Sequence, residues 1–372
     1  MVKRTGKAVA LAAAVTVCAA TVTACGSDDH PHTGSSSLFG EPSGAAACGG
    51  KNSVTAEGST AQQNAMALFN HVWAQNCPGK TVSYNPTGST AGREQFIAGH
   101  VDFAGSDSPL VATQIAPAAA RCNGNPAWDL PLVFGPIALA YNVPEVPKLT
   151  VDADALAKIF GGAIRNWNDP LLATLNPGVF LPNTRIVPIY RSDSSGTTDN
   201  FQKYLTAAAP QSWTKGVGGD FQGGVGQGAQ RSAGVIQAVR STPGSIGYVE
   251  KSFADQAGLP FAQINTGTGV VPLTNETART AVNAVTFVAA GDDLVLELSS
   301  IYDTEEPNTY PLVLATYEIV CSKGYDADTA AAVKAFLTTA VTIGQPGLTA
   351  AGYVPLPDKV KQRLVAAIDA LQ

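Results

Sequence analysis

Small hydroxyl residues gather at three points where a strand pattern gives way to a helix pattern. The segments are Gly58-Ser59-Thr60, Gly88-Ser89-Thr90 and Arg191-Ser192-Asp193-Ser194-Ser195-Gly196-Thr197. Hydroxyls at a helix start donate O–H groups, and the first helical turn adds backbone N–H groups that lack internal partners. The helix dipole adds positive potential at the same end. Each segment alone can simply cap its helix, but three in one chain favour convergence on a common anion.

The third segment begins with a cation. Arg191 offers a planar fork of N–H donors that matches an oxyanion. The simpler interpretation is a surface salt bridge with Asp193, two residues later. Both interpretations hold together if Asp193 orients the guanidinium of Arg191 towards the ligand.

A scaffold of alternating strands and helices must position these segments, and the hydrophobic pattern predicts one. Strands are expected at 52–57, 81–84, 101–104, 186–190, 245–249 and 310–320, and apolar runs at 130–134 and 137–143 flank Gly135-Pro136. Helices are expected at 93–98, 152–160, 198–208, 235–240, 328–337 and 359–371, and on the face formed by Ala65, Met66, Phe69, Val72 and Trp73. Such alternation predicts α/β layers with largely parallel sheets.

The N-terminus predicts export and lipid attachment. A basic start precedes an apolar run at 8–17, which is shorter than the roughly 20 residues that a membrane span needs. The following Val22-Thr23-Ala24-Cys25 resembles a bacterial lipobox, whose cysteine becomes the lipidated, palmitate-bearing first residue. We therefore expect a signal peptide at 1–24 and a lipid-anchored tether, rich in Ser, Gly and Pro, at 25–47. The simpler alternative is a cleaved signal with an accidental cysteine.

Four cysteines remain for the folded part, and they are Cys48, Cys77, Cys122 and Cys321. An even number in an exported chain suggests two disulfides, for which three connectivities exist. Their spacing does not match a zinc site. We favour Cys48–Cys77, which ties the start of the first strand to the end of the first helix, and this leaves Cys122–Cys321.

Charge and composition disfavour several function classes. The net charge is −6 and no long basic run is present, which argues against nucleic-acid binding. Residues 224–229 fit the pattern G-x-G-x-x-A, but they follow a polar, glycine-rich stretch instead of the apolar strand of a dinucleotide site. Outside the tether the only histidines are His71 and His100, which disfavours metal-assisted hydrolysis. No catalytic residue, metal ligand or cofactor is predicted.

At the hydroxyl segments the chain resembles the PstS family, the phosphate-binding proteins of bacterial ABC importers. The likeness extends from about residue 53 to the C-terminus and is carried by residues 101–110, 191–197 and 244–250, with Trp167-Asn168-Asp169-Pro170 in addition. The lipobox and the alanine-rich composition resemble the actinobacterial, mycobacterial-like branch. The resemblance implies a monomeric receptor on the outer face of the cell membrane that delivers inorganic phosphate to an ABC permease. A binding protein for sulfate, molybdate or a phosphorylated small molecule is the alternative.

The resemblance also implies the fold. Members of the family have a two-lobed α/β periplasmic-binding-protein fold of type II, with two crossover hinge strands and a ligand cleft between the lobes. For this chain the likeness implies lobe I at 48–135, lobe II at 136–307 and a return to lobe I at 308–372.

A phosphate ligand set follows from the same likeness. The expected contacts are the hydroxyls or backbone N–H groups of Thr60, Ala61, Ser89, Ser195, Gly196 and Thr197, the guanidinium of Arg191 and the carboxylate of Asp107, with Asp193 behind Arg191. Ala61 stands where the family often has an aromatic residue, but a backbone donor does not need that side chain. Residues 230–234 depart from the Gly-Asn-Asp-Gly of the family, which weakens any ligand role for them.

Asp107 has a physical rationale as a selectivity residue. A carboxylate repels a neighbouring anion unless that anion carries a proton to donate. Phosphate has its second pKa near ~6–7 and still carries at least one proton at neutral pH, whereas sulfate has none to give. One ionised acceptor therefore discriminates against sulfate. The alternative is that Asp107 caps the turn before Pro109.

Overall fold

Strands and helices alternate along residues 48–372, which are the residues that this computed structural model describes. The strands are β1 (Ser53–Gly58), β2 (Thr81–Asn85), β3 (Phe103–Ser106), β4 (Ala127–Asn142), β5 (Thr150–Val151), β6 (Val187–Arg191), β7 (Gln227–Ala229), β8 (Ser245–Glu250), β9 (Gln263–Asn265), β10 (Val270–Val271), β11 (Thr286–Phe287), β12 (Leu296–Glu297) and β13 (Val313–Cys321). The α-helices are α1 (Gln63–Asn76), α2 (Ser89–Ile97), α3 (Ala112–Arg121), α4 (Ala153–Phe160), α5 (Pro170–Leu175), α6 (Gly196–Ala208), α7 (Arg231–Ser241), α8 (Lys251–Ala257), α9 (Asn275–Ala284), α10 (Ser299–Tyr302), α11 (Ala327–Thr339) and α12 (Asp358–Ala370).

One eight-stranded sheet organises the described residues, in the order β2-β1-β3-β13-β4-β8-β6-β7. At one end β1 pairs in parallel with β2 and β3, and at the other β6 pairs in parallel with β7 and β8. In the middle β13 runs antiparallel to β3 and β4, and β4 runs antiparallel to β8. The prediction of α/β layers is confirmed. The sheet is mixed and not largely parallel, because the two long central strands, β4 and β13, run antiparallel to their neighbours.

The two apolar runs around Gly135-Pro136 belong to a single strand of 16 residues, β4. Its first part, up to Pro136, pairs with β13. From Ile137 onwards it pairs with β8. A side chain at position 135 would meet Glu250, because an ideal Cβ there lies 2.9 Å from the Glu250 Cγ. Glycine thus lets the strand pass from one partner to the next without a break.

Parallel pairing places the segments that follow β1, β2 and β3 at one edge of the sheet. The strands β1 and β3 lie side by side, so their carboxyl ends, at Gly58 and Ser106, are neighbours. The helices α1 and α2 follow β1 and its parallel partner β2, whereas α6 follows β6, which pairs in parallel with β7 and β8 at the other end of the sheet. On α1 the predicted core face is buried at Ala65, Met66, Phe69 and Trp73, whereas Val72 lies at its margin and is half-buried.

Both favoured disulfides are present. Cys48 bonds to Cys77, and Cys122 bonds to Cys321. The first ties the beginning of the described chain to the end of α1, as predicted, and the second joins the end of α3 to the end of β13.

The signal peptide, the lipid attachment at Cys25 and the tether at 25–47 lie outside the described residues. Within residues 48–372, no helix has the length and apolar character that crossing a membrane requires.

Candidate anion-binding site

At the start of α6, one buried hydroxyl has no hydrogen-bond partner within residues 48–372. Ser195 is the N-cap, and its Oγ accepts the backbone N–H groups of Thr197 at 3.1 Å and Thr198 at 3.4 Å. The Thr197 side chain is fully buried, and its Oγ1 has no hydrogen-bond partner among the described residues. Leaving a buried hydroxyl unpaired costs about 1–3 kcal/mol. Such an atom marks the place where a polar ligand would restore the lost bond.

Arg191 ends β6 and is held by Asp193 through a two-point contact. Its Nε donates to Asp193 Oδ1 at 2.8 Å, and its Nη2 donates to Oδ2. The side chain of Arg191 is only 2% exposed, so this is a buried pair and not a surface salt bridge. The backbone N–H of Arg231 also donates to Asp193 Oδ1, at 2.8 Å. Burial alone would raise the pKa of Asp193, but the bonds and charge of Arg191 hold it below its usual value.

The hydroxyls that precede α1 are also buried and engaged. Thr60 Oγ1 pairs with Ser232 Oγ at 2.7 Å and accepts the Ser232 N–H at 3.3 Å. The N–H of Ala61, expected to serve the ligand, donates to Ser59 Oγ at 3.1 Å. Thr60 is 2% exposed and Ser89, the first residue of α2, is 1% exposed.

Asp107, just after β3, lies among hydroxyl donors. Its Oδ1 accepts from Ser59 Oγ at 2.5 Å and from Thr316 Oγ1 at 2.7 Å. Its Oδ2 accepts from Ser89 Oγ at 3.3 Å, and the same Ser89 oxygen accepts the Asp107 N–H at 3.0 Å. Burial raises the pKa of Asp107, while these hydroxyls and the charge of Arg191 work in the opposite direction.

The three hydroxyl segments meet at this point. An ideal Cβ on Gly196 would lie 2.5 Å from Asp107 Cβ and 2.6 Å from Ser89 Oγ. An ideal Cβ on Gly88 would lie 3.1 Å from Asp193 Oδ2. Only glycine at positions 88 and 196 allows so close an approach between the α2 start, the α6 start and Asp107.

Direct hydrogen bonds also connect the segments. The Asn200 Nδ2 donates to the Asp107 carbonyl at 2.7 Å, and Ser108 Oγ donates to Asp199 Oδ2 at 2.5 Å. A further bond joins Thr90 Oγ1 and Ser194 Oγ at 2.9 Å. The structure therefore brings every predicted ligand residue into one connected, buried cluster.

Several residues of the cluster escaped sequence reasoning. Thr316 lies in the apolar stretch predicted as a strand. The only sequence signal for its role is a threonine hydroxyl within that buried strand. Ser232 lies in the segment for which a ligand role was considered weakened, yet it contacts Thr60. Asn200 was treated only as part of a helix, although its amide bonds to the Asp107 carbonyl.

The donor set suits an anion better than a metal ion. Residues 48–372 contain no group of three or more His, Cys, Asp or Glu side chains placed to hold a metal. The cluster presents hydroxyls, N–H groups at a helix start and one guanidinium, with the carboxylate of Asp107 and that of Asp193, which is paired to the guanidinium. Such donors match a small tetrahedral oxyanion.

Comparison with known proteins decides the family. A family model described as a PBP superfamily domain matches residues 43–341. Over 352 residues the chain is 48% identical to a Mycobacterium tuberculosis protein named phosphate-binding protein PstS 3, which covers 94% of this chain and 95% of that protein. This chain belongs to the PstS family. A second PstS relative from the same organism, named phosphate-binding protein PstS 2, is 47% identical over 372 residues, 99% of each chain.

Solved structures agree with the PstS fold. The chain is similar to a high-affinity periplasmic phosphate-binding protein called PfluDING, with a TM-score of 0.67 at 24% identity. The match covers 84% of this chain and 93% of that one. The expected periplasmic-binding-protein fold is thereby confirmed.

Proposed function

We propose that this PstS-family chain is a high-affinity receptor for inorganic phosphate that delivers its ligand to the permease of an ABC importer. The observation that carries the proposal is the unpartnered, fully buried Oγ1 of Thr197 at the start of α6. It lies in the same cluster as Arg191 and Asp107, so the site combines donors for an oxyanion with one acceptor for its proton. The names of the mycobacterial relatives support phosphate as that oxyanion.

The proposed contacts divide into three groups. Thr60, Ala61 and Ser89 would donate from the starts of α1 and α2. The helix-start cradle of Ser195, Gly196 and Thr197, together with the guanidinium of Arg191, would donate from the opposite side, with Asp193 fixing the guanidinium. Asp107 would accept the proton of the ligand. The N–H of Ala61 would be shared between the ligand and Ser59 Oγ, to which it already donates.

The proposed lobes follow the sheet. Lobe I would comprise residues 48–135 and 308–372, and lobe II residues 136–307. The change of partner along β4, from β13 to β8 after Pro136, coincides with this boundary and supports it. The strand β4 and the segment that leads into β13 would then contain the two crossover hinges, and the ligand cluster would lie in the cleft between the lobes.

Calorimetric titration tests the function directly. The domain 48–372 would be titrated with phosphate, sulfate and a phosphorylated sugar at fixed pH and salt. We expect tight binding of phosphate, weak or undetectable binding of sulfate, which has no proton for Asp107 to accept, and no binding of the sugar phosphate. Preference for sulfate or for the sugar phosphate would replace this proposal by the corresponding alternative.

Asp107→Asn is expected to reduce discrimination between phosphate and sulfate. The amide keeps an acceptor oxygen, so phosphate affinity should fall by only ~1 kcal/mol. Sulfate should bind more tightly, because the repulsion is gone and the amide N–H₂ can donate to it. Paired titrations of both anions on both proteins measure the change. Unchanged phosphate binding together with undetectable sulfate binding would mean that Asp107 serves only its hydrogen bonds with Ser59, Ser89 and Thr316 and does not select the ligand.

We also propose that the mature protein is a monomer anchored by lipid on Cys25 at the outer face of the membrane. Cys25→Ala should then release the protein from the membrane fraction, because the lipidated residue is lost, and leave the phosphate affinity of the soluble domain unchanged. Fractionation of cells that express each form, followed by immunodetection, measures the release. A variant that stays with the membrane would rule out the proposed anchor.

A further inference from the structure

The two carboxylate oxygens of Asp107 have unequal surroundings. Oδ1 accepts two short hydrogen bonds, from Ser59 Oγ at 2.5 Å and from Thr316 Oγ1 at 2.7 Å. Oδ2 accepts only the bond from Ser89 Oγ, at 3.3 Å. A carboxylate offers about four acceptor positions, two on each oxygen. Oδ1 is therefore saturated, and one position on Oδ2 stays open.

The open oxygen faces the helix-start cradle. An ideal Cβ on Gly196 would lie 2.9 Å from Asp107 Oδ2, so this oxygen points towards the first residue of α6. The unpartnered hydroxyl of Thr197 belongs to the next residue of the same helix. A proton carried by a ligand in the cradle would thus meet Oδ2 and not Oδ1.

The two hydroxyls that saturate Oδ1 lie behind Asp107. Ser59 and Thr316 are both 0% exposed. Ser59 Oγ donates its O–H to Asp107 and accepts the N–H of Ala61, and Thr316 lies on β13. These two hydroxyls therefore influence which anion binds only by acting on Asp107.

We propose that Ser59 and Thr316 are specificity-determining positioning residues, which hold Asp107 as an ionised carboxylate with Oδ2 turned to the proton of the ligand. The proposal rests on the proposed phosphate function and deepens it. It assigns discrimination between protonated and unprotonated oxyanions to three residues on three different segments of the chain.

Other charged groups around Asp107 do not replace these hydroxyls. The groups that act on it or face it are Arg191 from β6, Arg93 from α2, Glu318 from β13 and Tyr84 from β2. Burial raises the pKa of Glu318 and of Tyr84 well above their usual values, which favours the neutral form of both side chains. Arg191 is engaged with Asp193, and Arg93 donates to Ser106, Ser108, Gln114 and Thr90.

When these hydroxyls are removed, we expect burial to dominate the pKa of Asp107. Hydrogen bonds donated to a carboxylate favour its charged form, and their loss raises its pKa. A larger fraction of Asp107 would then be protonated near neutral pH. The neutral acid donates to an anion instead of repelling it, so sulfate would gain affinity and phosphate would lose its proton acceptor.

The decisive experiment compares Thr316→Val with Thr316→Ser. Valine keeps the shape and removes the hydroxyl, whereas serine keeps the hydroxyl and removes a methyl group. Each protein is titrated with phosphate and with sulfate from pH 5 to pH 9. We expect the phosphate-to-sulfate affinity ratio at pH 7 to fall at least tenfold in Thr316→Val and to stay within about threefold of the wild type in Thr316→Ser. The gain in sulfate binding on acidification should also shift to higher pH in the valine variant.

Ser59→Ala provides a second, independent test and should lower the ratio in the same direction. Thr339→Val is the matched control, because it deletes a buried hydroxyl that bonds to the Ala335 carbonyl within α11 and does not contact Asp107. Circular dichroism confirms folding of each variant. Wild-type ratios and pH profiles in both Thr316→Val and Ser59→Ala would overturn this assignment. Absence of phosphate binding by the wild-type protein would instead overturn the proposed function.

Discussion

Gly196→Ala is expected to weaken phosphate binding at least ~100-fold, about 2.7 kcal/mol, while leaving the protein folded. Gly196 is the first residue of α6 and does not have a positive φ, so alanine fits the backbone there. The added methyl group would lie 2.5 Å from Asp107 Cβ and 2.6 Å from Ser89 Oγ, both well inside van der Waals contact. The α6 start would have to retreat from Asp107, and the bond from Asn200 to the Asp107 carbonyl, now 2.7 Å, would stretch.

Gly234→Ala is the matched control for this prediction. Gly234 lies in α7, and an ideal Cβ there approaches its nearest neighbour, Ala229, no closer than 3.7 Å. Calorimetry measures the phosphate affinity of both variants, and thermal unfolding verifies that both are folded. If Gly196→Ala binds phosphate as the wild type does, the ligand does not depend on the contact between α6 and Asp107. Equal losses in the two variants would point to a general effect of the added methyl group.

The contrast between the two glycines reflects how the site is built. The hydroxyl segments are presented by separate strands, and the site exists only where the segments meet. Packing at that meeting point is as tight as in a protein core, and one extra methyl group in such packing typically costs about 1–3 kcal/mol. Because the ligand is proposed to lie where these segments meet, we expect this cost to weaken binding more than it lowers the stability of the fold.

The parts of this site that sequence predicted are local in the chain. Ser89 and Ser195 could be identified because a hydroxyl residue at a helix start lies within a few residues of the helical pattern that reveals it. The structure places both residues at helix starts. Their convergence was suggested only by the repetition of the pattern and by family resemblance. Arg191 and Asp193 are likewise close in sequence, and their pairing was among the interpretations considered, but as a surface salt bridge and not as the buried pair that the structure shows.

The parts that sequence missed depend on distant contacts. Thr316 bonds to Asp107 across 209 residues, and Ser232 bonds to Thr60 across 172. No periodicity within a strand or a helix encodes such a pairing, because it depends on sheet order. Strand direction was missed for the same reason. The hydrophobic pattern of β13 is that of a buried strand whether it runs parallel or antiparallel to β4.

A net negative chain is compatible with an anion site. Charges on the distant surface are screened beyond a Debye length of ~8–10 Å at physiological salt. Within that distance the site offers the guanidinium of Arg191, N–H groups at the start of α6 and buried hydroxyls. The carboxylate of Asp193 is already neutralised by Arg191 and by the N–H of Arg231. The pair of Arg191 and Asp193 carries no net charge, so the N–H groups and hydroxyls attract the anion, and the carboxylate of Asp107 is compatible with an anion that brings a proton to it.

Arg191→Ala is expected to weaken phosphate binding by at least ~2 kcal/mol, about 30-fold, because charge-assisted hydrogen bonds in a buried site are lost. Arg191→Lys should restore only part of the affinity, since an ammonium group cannot reproduce the planar fork or the two-point contact with Asp193. Calorimetric titration with phosphate measures both. Arg240→Ala, which removes an exposed cation from α7, controls for the loss of one positive charge.

Removal of Arg191 alone also leaves Asp193 without its main partner, and that uncompensated carboxylate would itself repel phosphate. The double variant Arg191→Ala/Asp193→Ala removes both charges and separates the two effects. If the guanidinium binds the ligand, the double variant stays at least about tenfold weaker than the wild type. If the double variant recovers wild-type affinity, Arg191 serves only to neutralise Asp193, and the oxyanion is held by the hydroxyls and the helix start alone. The second outcome would also predict that Asp193→Asn in the wild-type background leaves phosphate affinity intact, because the neutralising role would then be unnecessary.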